Sequence, residues 1–485
     1  MTFKLSLRHY PWILAALLAM PWCHSTAAAP LPSWLQVLLP PASQVALWVQ
    51  DTRTQQVLLS HNPDVQMLPA STQKLLTAVT AWEVLGADYR FHTRILTTGT
   101  IIQGVLQGNL YLQFSGDPRL SRQQLSQMAQ TLRQQGLEKI NGQLFLVGNN
   151  SRQWRAPGWV WDDLGICYAA PISSFVIDGN CIKARLQQTK TRTRVTLLTP
   201  APVSVTSSAF FDPQQQHDFC QLTLHRQDDN HYQLSGCYGK RPPLPLAIAV
   251  SNPQQYAADV IAALYRPQFH FEGPVQFAST VPDDATLLLD HPSLPLSTLI
   301  GEMLLDSDNL IADTLLKQLG SQRLGPREQD AVFLAGGQQI KDTLAGMGIE
   351  LENSHIIDGS GLSRYNLLSA RQLGQLLAQI QQRPTLRWLL DALPKSGLSG
   401  TLHHKAPFNQ KALRGRITAK TGSMQGVQNL AGFLSGDAPD DKYRYLFVIM
   451  ENGHVTTDMP DSGFIGQVLL QLQQRLGNAP GMQKP

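Results

Sequence analysis

Charged side chains are scarce in this sequence, and the basic ones are not clustered. Only 15% of its 485 residues are Asp, Glu, Lys or Arg, and the formal net charge is +4. A nucleic-acid-binding surface would need a basic run, or basic residues interleaved with aromatic ones, and neither pattern is present. The composition therefore argues against nucleic acid as a partner.

Metal-binding spacings are missing as well. The 13 histidines form no H-E-x-x-H or comparable pattern, and the 5 cysteines form no C-x-x-C pair. The adjacent His403 and His404 are better explained as loop residues than as ligands. We therefore expect neither a metal ion nor another cofactor.

Long apolar runs are absent after the first 30 residues, so no transmembrane helix is predicted there. The start of the chain, in contrast, has the three-part layout of a secretory signal peptide. Lys4 and Arg8 are basic, residues 12–20 form an apolar stretch too short to span a bilayer, and small residues occupy 25–29. The alternative is a buried core helix. We predict that residues 1–28 direct export and are then removed, which leaves no transmembrane anchor.

Four cysteines remain after that removal. An even number of cysteines in an exported chain predicts disulfide bonds. Four cysteines allow three pairings, and the short gaps between them favour two local bonds. The expected pairs are Cys167 with Cys181 and Cys220 with Cys237.

The first part of the mature chain predicts a hairpin followed by a helix. Two alternating runs, 45–50 and 57–60, flank a turn-like segment. Apolar residues at helical spacing then begin near Ser71 and end at Gly86, which suits a C-terminal cap. Ser71 is therefore expected at the opening of a buried helix.

From residue 91 to about residue 281 the residue pattern changes from helical to strand-like. Short strand-like runs alternate with Gly, Asn and Pro, and one helical stretch interrupts them near 122–135. This pattern predicts one or two β-rich modules inserted into the first domain. Helical patterns then return, and strand-like runs at 427–434 and 443–450 precede a last helix at 464–476, which we expect to pack on a sheet.

A candidate nucleophile stands at the helix opening, where residues 71–74 read S-x-x-K. Residues three apart share one face of a helix, so the amine of Lys74 is expected beside the hydroxyl of Ser71. A serine needs a base within hydrogen-bond reach, and a lysine can be that base only when burial or a second cation lowers its pKa. Alone the pattern is weak evidence, because a solvated lysine beside a capping serine gives the same letters.

Two further motifs change this assessment. S-D-N at 307–309 lies between apolar helical turns, and K-T-G-S at 420–423 ends a strand-like run at 417–419. The order S-x-x-K, S-D-N, K-T-G is the set found in class A β-lactamases and penicillin-binding proteins. We therefore predict acyl transfer through Ser71.

Each residue of the set has a chemical task. Lys420 supplies a second cation that lowers the pKa of Lys74 and attracts a substrate carboxylate. Ser307 can relay a proton to the leaving amine, and Asn309 can bind a substrate amide. Asp308 is expected to orient its turn.

The K-T-G strand is expected to bind the substrate backbone. Gly422 lets a ligand lie close to the strand edge. The backbone N–H groups of Ser71 and Ser423 could form an oxyanion hole, worth ~3–4 kcal/mol per donor. Thr421, together with Lys420, would hold the terminal carboxylate of the substrate.

These motifs resemble those of the D-alanyl-D-alanine carboxypeptidase/endopeptidase family, the low-molecular-mass class C penicillin-binding proteins of the type-4 group. The resemblance covers essentially the whole mature chain. The matching stretches are LPASTQK at 68–74, SGDP at 115–118, SDNLIAD at 307–313, DGSGLSR at 358–364 and AKTGSMQGV at 419–427.

The resemblance implies an α/β fold with a β-lactamase/transpeptidase-like catalytic domain, in which an antiparallel sheet is flanked by helices. Mainly β domains would be nested inside it. The expected boundaries are 29–90 and 290–485 for the catalytic domain, 91–182 and 246–289 for the second domain, and 183–245 for the third.

The resemblance also implies a substrate pocket and an activity. Asp178, Arg364 and Gln425 match the residues that hold the diamino-acid side chain of the stem peptide, although Arg364 could instead form a structural salt bridge. The implied enzyme is a periplasmic D-Ala-D-Ala carboxypeptidase and DD-endopeptidase, which cleaves peptidoglycan stem peptides and cross-links through an acyl-Ser71 intermediate. β-Lactam antibiotics would be covalent inhibitors, and the balance of the two activities stays open.

Two other functions compete with this one. A β-lactamase shares the acylation chemistry, but Glu350 and Glu352 stand at the wrong spacing for its deacylating glutamate. The long stretch between Ser71 and Ser307 also leaves room for inserted domains that a compact β-lactamase lacks. A catalytically silent binding module is the other alternative, and the three intact motifs argue against it.

Overall fold

The computed structural model describes residues 31–149, 151, 153–189, 193–214, 218–227, 229–239, 243–324, 329–438, 441–454 and 463–477. The predicted signal peptide at 1–28 lies outside these residues and stays a prediction. Helix α1 belongs to a unit that ends at Leu39, and the other elements belong to a second unit that begins at Pro40. Across the described ranges, no helix is both long and apolar enough to cross a membrane.

Runs of helices and runs of strands follow one another along the described residues. The helices are α1 (Ser33–Leu38), α2 (Lys74–Leu85), α3 (Arg122–Gln134), α4 (Pro253–Tyr265), α5 (Leu296–Asp306), α6 (Asn309–Arg323), α7 (Val332–Ala345), α8 (Ala370–Gln382) and α9 (Gly463–Gly477). The strands are β1 (Gln44–Asp51), β2 (Val57–His61), β3 (His92–Thr97), β4 (Thr100–Ile102), β5 (Val105–Gln107), β6 (Leu110–Gln113), β7 (Lys139–Ile140), β8 (Leu144–Val147), β9 (Cys181–Gln188), β10 (Thr193–Leu197), β11 (Ser204–Ser207), β12 (Phe210–Phe211), β13 (Leu222–Arg226), β14 (His231–Tyr238), β15 (Leu244–Ala249), β16 (Gln276–Ala278), β17 (Thr286–Pro292), β18 (Ile417–Met424), β19 (Val427–Leu434) and β20 (Tyr445–Asn452).

The first sheet pairs strands from the early part of the second unit with strands from its late part. Its five antiparallel strands run in the order β18-β19-β20-β1-β2, so the predicted hairpin and both late strands are confirmed. Side chains alternate across a strand, and Ala46 and Trp48 pack into one core with α2, α5, α6, α7 and α8. Helix α9 packs against β19, as predicted for the last helix. An antiparallel sheet flanked by helices is therefore confirmed.

The chain between α2 and α5 forms the other sheets. Their strand orders are β16-β8-β6-β3-β17, β4-β5-β7, β10-β9-β15 and β11-β14-β12, with β13 beside β14. Strands β3 and β17 pair, and between them in sequence β9 and β15 also pair. This pairing supports the nested boundaries at 91–182, 183–245 and 246–289, which we keep as a proposal.

Both predicted disulfide bonds are present. Cys167 is bonded to Cys181, and Cys220 is bonded to Cys237. The first bond ties the turn that carries Tyr168 to the start of β9. Closing a loop of this length typically stabilises a fold by ~3 kcal/mol.

Candidate active site

The serine and lysine of S-x-x-K meet at the start of α2, as predicted. A 3₁₀ turn at Ala70–Gln73 leads directly into the helix. There the amine of Lys74 donates a hydrogen bond of 2.8 Å to the Oγ atom of Ser71. A Cβ atom on Gly361 would overlap the carbonyl oxygen of Ala70, so only glycine allows the D-G-S-G-L-S-R loop to lie this close.

Lys74 is fully buried, and its amine also donates to Asn309 Oδ1 at 2.6 Å and to the carbonyl oxygen of Ser360 at 2.7 Å. Burial lowers its pKa to about 8, against the opposing charges of Asp313, Asp358 and Asp308. Lys74 can therefore lose its proton near neutral pH, as a general base must. The sequence prediction gave this effect to Lys420, whereas burial is the cause that lowers the pKa of Lys74.

The S-D-N motif forms the junction between α5 and α6. Ser307 ends α5 in the left-handed conformation, with φ 62°. Asp308 caps α6, because its side chain accepts from the N–H of Ile311 at 3.0 Å, and this agrees with the orienting role predicted for it. Asn309 is then the first residue of α6, and its amide nitrogen donates to the carbonyl oxygen of Tyr168 at 2.8 Å.

The K-T-G motif forms the later part of β18, which agrees with its predicted place at the end of a strand. Lys420 is fully buried, and its amine donates to Ser307 Oγ at 2.8 Å. Burial lowers the pKa of Lys420 well below its usual range, and the charges of Lys74 and Lys405 lower it further.

Thr421 and Gly422 follow in the same strand. The hydroxyls of Thr421 and Thr401 lie 2.8 Å apart. A Cβ atom on Gly422 would lie 2.6 Å from the carbonyl oxygen of Pro69, so the strand can approach the turn before Ser71 only with glycine here. The sequence predicts that Gly422 makes room for a ligand, whereas in the structure it makes room for the backbone of Pro69.

One cavity of about 490 Å³ brings the motifs together. It is lined by Ser71, Ser307, Asn309, Ser423, Arg364 and Gln425, among other residues. Lys74 and Lys420 reach it through their hydrogen bonds to the two serines. The arrangement provides a nucleophile, a base of lowered pKa and a second hydroxyl that accepts from a second buried lysine, which suits acyl transfer.

The predicted pocket is assembled only in part. Arg364 donates to the carbonyl oxygen of Gln425 at 2.8 Å, and both line the Ser71 cavity. Asp178 does not line it, because its carboxylate pairs with Arg122 and accepts from the N–H of that residue at 3.1 Å. Asp178 lines an adjoining cavity that shares Tyr168, Ser307 and Asn309 with the Ser71 cavity, so its place in the substrate pocket stays a prediction.

The carboxylates that do line the Ser71 cavity are Asp162 and Asp163. They lie in a 3₁₀ turn at Trp161–Gly165, and the hydroxyl of Tyr168 donates to Asp163. Sequence reasoning missed them. The available signal was an adjacent acidic pair shortly before the first disulfide cysteine.

A buried carboxylate holds the D-G-S-G-L-S-R loop in shape. Asp358 accepts from the backbone N–H groups of Gly361 at 2.8 Å and Ser363 at 2.6 Å. It also accepts from the side chains of Asn366 at 2.8 Å and Trp159 at 2.9 Å. The loop is therefore more than the tight turn that its glycines indicate.

Asp313 lies in α6, one turn after Asn309, and links the D-G-S-G-L-S-R loop to Lys74. Its Oδ1 atom accepts from the N–H groups of Gly359 at 2.7 Å and Ser360 at 3.0 Å, and the carbonyl of Ser360 in turn accepts from Lys74. Its Oδ2 atom has no hydrogen-bond partner among the described residues. Asp313 thus positions the Ser360 carbonyl that orients the base.

Replacing Asp313 with asparagine is expected to shift the pH dependence of Ser71 acylation to lower pH. Burial raises the pKa of the Asp313 carboxyl well above its usual range, and in its ionised form this carboxyl raises the pKa of Lys74. Asparagine keeps an oxygen for the two loop N–H groups but removes that charge. Since the neutral amine is the active form, the midpoint of the rate should move below about 8. Asp306→Asn is the control, and a midpoint that stays in place or rises would contradict this role.

Comparison with known proteins agrees with the geometry. The profile of the D-Ala-D-Ala carboxypeptidase 3 (S13) family matches residues 36–471. The chain belongs to this family. The predicted family and enzyme class, a carboxypeptidase of a serine-type peptidase family, are thereby confirmed.

Individual relatives extend this finding. The chain is 34% identical over 446 residues to D-alanyl-D-alanine carboxypeptidase DacB of Haemophilus influenzae, with 91% of each chain covered. It is 29% identical to D-alanyl-D-alanine carboxypeptidase of Actinomadura sp., covering 84% of this chain and 77% of that relative. The crystal structure of penicillin binding protein 4 (dacB) from H. influenzae matches with a TM-score of 0.84 at 33% identity, over 92% of this chain and 99% of that chain. The predicted fold class is confirmed by this match.

Proposed function

We propose that the chain is a serine-type D-Ala-D-Ala carboxypeptidase and DD-endopeptidase that acts on peptidoglycan stem peptides and cross-links through an acyl-Ser71 intermediate. The observation that carries this proposal is the hydrogen bond of 2.8 Å between the buried amine of Lys74 and Ser71 Oγ. It lies at a cavity that Ser307 and Asn309 also line.

The first step forms the acyl-enzyme. Ser71 Oγ attacks the carbonyl carbon of the penultimate D-alanine, and its proton passes to the neutral amine of Lys74. The C–N bond then breaks, and the proton that Lys74 took up is relayed to the leaving amine by Ser307, whose hydroxyl accepts from Lys420. Water later attacks the acyl carbon and gives a proton to Lys74, and the bond to Ser71 Oγ breaks as that proton returns to the serine.

Charge stabilisation comes from the turn before α2 and from β18. The N–H groups of Ser71 and Ser423 are the candidate oxyanion donors, each worth ~3–4 kcal/mol in measured cases. Lys420 and Thr421 would hold the terminal carboxylate of the substrate. β-Lactams offer the same acyl group and carboxylate, and the H. influenzae protein has been solved with a novel β-lactam, which supports their role as covalent inhibitors.

Endopeptidase action needs a site for the diamino acid of the stem peptide. Arg364, with Asp162 and Asp163, gives the Ser71 cavity both charges that a free amine and carboxylate would need, and the predicted Asp178 lies in the adjoining cavity. Such a substrate is found in the bacterial periplasm, to which the predicted signal peptide would direct the chain.

Removing Arg364 tests this pocket. Arg364→Ala is expected to lower kcat/KM for a diaminopimelate-containing stem peptide roughly tenfold to hundredfold, since a hydrogen bond to a charged group contributes about 1.5–3 kcal/mol. A short peptide that ends in D-Ala-D-Ala but lacks the zwitterionic side chain should lose much less. The exposed Arg387→Ala is the matched control. Equal losses on the two substrates, or no loss, would show that Arg364 does not bind the diamino acid.

Digestion of purified muropeptides tests the whole proposal. The enzyme is expected to release D-alanine from monomeric pentapeptides and to convert D,D-cross-linked dimers into monomers. Both products should be missing with Ser71→Ala. Trimming of monomers without cleavage of dimers would remove the endopeptidase part alone, whereas full activity of Ser71→Ala would remove the mechanism.

The structure does not favour the alternative function of a β-lactamase. Glu350 and Glu352, the faint match to a deacylating glutamate, are absent from the lining of the Ser71 cavity. The carbonyl of Glu350 instead accepts from the side chain of Gln372. We therefore expect slow deacylation of penicillin, and rapid catalytic turnover would reverse the choice.

A further inference from the structure

A second cavity adjoins the K-T-G strand. It has a volume of about 220 Å³ and shares Ser423 with the Ser71 cavity. Thr421 lines it from β18, Phe408 from the loop before that strand, and Phe464 and Ile465 from the start of α9. The space therefore continues from the place where the substrate's terminal carboxylate is expected.

Carboxypeptidase action does not need this space. When the leaving residue is D-alanine, only a methyl group has to fit beyond the carboxylate. When the leaving residue belongs to a cross-link, it is a diamino acid whose hydrocarbon chain leads to the rest of a second stem peptide. Only the second reaction requires an open apolar volume past Thr421.

The walls of the second cavity suit such a chain. Phe408 and Phe464 are buried and offer an apolar lining, against which methylene groups bind favourably. Lys405 lines the same cavity from an exposed segment, and its charge lowers the pKa of Lys420. Glu451, which also lines the cavity, already accepts hydrogen bonds from Ser43 and His454.

We propose that this cavity receives the leaving half of a cross-linked substrate. The hydrocarbon side chain of the leaving diamino acid packs against Phe408 and Ile465, and the carboxylates of the second stem peptide face Lys405. The inference rests on the proposed endopeptidase function and assigns the part of the molecule that separates cross-link cleavage from carboxypeptidase action.

Filling the cavity tests the assignment. Ile465→Trp is expected to lower the ratio of dimer cleavage to D-alanine release about tenfold or more, since apolar pockets discriminate against misfitting groups by roughly 10–200-fold. Leu470→Trp makes a similar change at another half-buried position of α9, outside the cavity, and should leave the ratio unchanged. An unchanged ratio in Ile465→Trp, or an equal fall in Leu470→Trp, would overturn the assignment.

A second variant covers the case in which the tryptophan disturbs folding. Lys405→Met changes an exposed side chain and is expected to raise KM for cross-linked dimers several-fold more than KM for monomeric pentapeptides. Equal changes in the two KM values would count against the inference. If the unmodified enzyme trimmed pentapeptides but never cleaved dimers, the endopeptidase proposal itself would fail, and this inference would fall with it.

Discussion

Lys74→Met is expected to slow acylation of Ser71 by about 10³-fold, because general-base catalysis contributes roughly 10²–10⁴-fold to such reactions. Methionine fills nearly the same volume in the buried site but accepts no proton. The effect should appear in kcat/KM for a D-Ala-D-Ala peptide and in the rate of penicillin acylation. Both measurements report the same bond formation at Ser71 Oγ.

The pH dependence makes this prediction specific. In the unmodified enzyme the neutral amine of Lys74 increases as pH rises through about 8, so acylation should accelerate over that range. The residual rate of Lys74→Met should lack this rise. Lys411→Met, an exposed lysine outside the cavity, is the control and should behave as the parent enzyme. A Lys74 variant that acylates at the normal rate would exclude the lysine as the base.

The second large effect is expected on stability, from Asp358→Ala. The carboxylate is fully buried and accepts from Gly361, Ser363, Asn366 and Trp159, so its removal leaves several buried donors without an acceptor. Each unsatisfied donor costs about 1–3 kcal/mol, which makes a loss of ~3–5 kcal/mol the expected total.

Thermal unfolding measures this loss. A destabilisation of that size should lower the melting temperature by roughly 6 °C or more. The exposed Asp391, which accepts from the hydroxyl of Tyr443, is the matched control, and Asp391→Ala should cost less than ~0.5 kcal/mol. A melting temperature unchanged in Asp358→Ala would mean that the loop does not depend on this carboxylate.

The catalytic residues could be found in the sequence because their chemistry is written in short local patterns. Ser71 and Lys74 are three residues apart on one helical turn, and the S-D-N motif caps the next helix with its own aspartate. The hairpin and the two disulfide bonds are local in the same sense. What no local pattern supplies is the depth at which Lys74 and Lys420 are buried, which sets their pKa values.

The pocket for the diamino acid could be predicted from the sequence only in part. The family resemblance indicates Asp178 for the pocket, and the fold pairs its charge with Arg122 in the adjoining cavity. The path of the segment before Cys167, set by a 3₁₀ turn, brings Asp162 and Asp163 to the Ser71 cavity, which the sequence did not predict. Long-range contacts of this kind depend on how the inserted sheets pack, and spacing along the chain does not encode them.

The same limit applies to Asp313 and Asp358. Both are fully buried acidic residues, a placement that composition alone disfavours. Backbone N–H groups of the D-G-S-G-L-S-R loop bind Asp358 and one carboxylate oxygen of Asp313. Only the assembled fold reveals that this loop, α6 and the base form one hydrogen-bonded unit.

The most direct test of the account is the site of covalent attachment by penicillin. The enzyme is incubated with penicillin, digested and analysed by mass spectrometry, next to Ser71→Ala treated in the same way. We expect one added penicilloyl group on the peptide that carries Ser71, and none on Ser71→Ala. An adduct on another residue, or a folded enzyme whose Ser71 stays unmodified, would contradict the central claim.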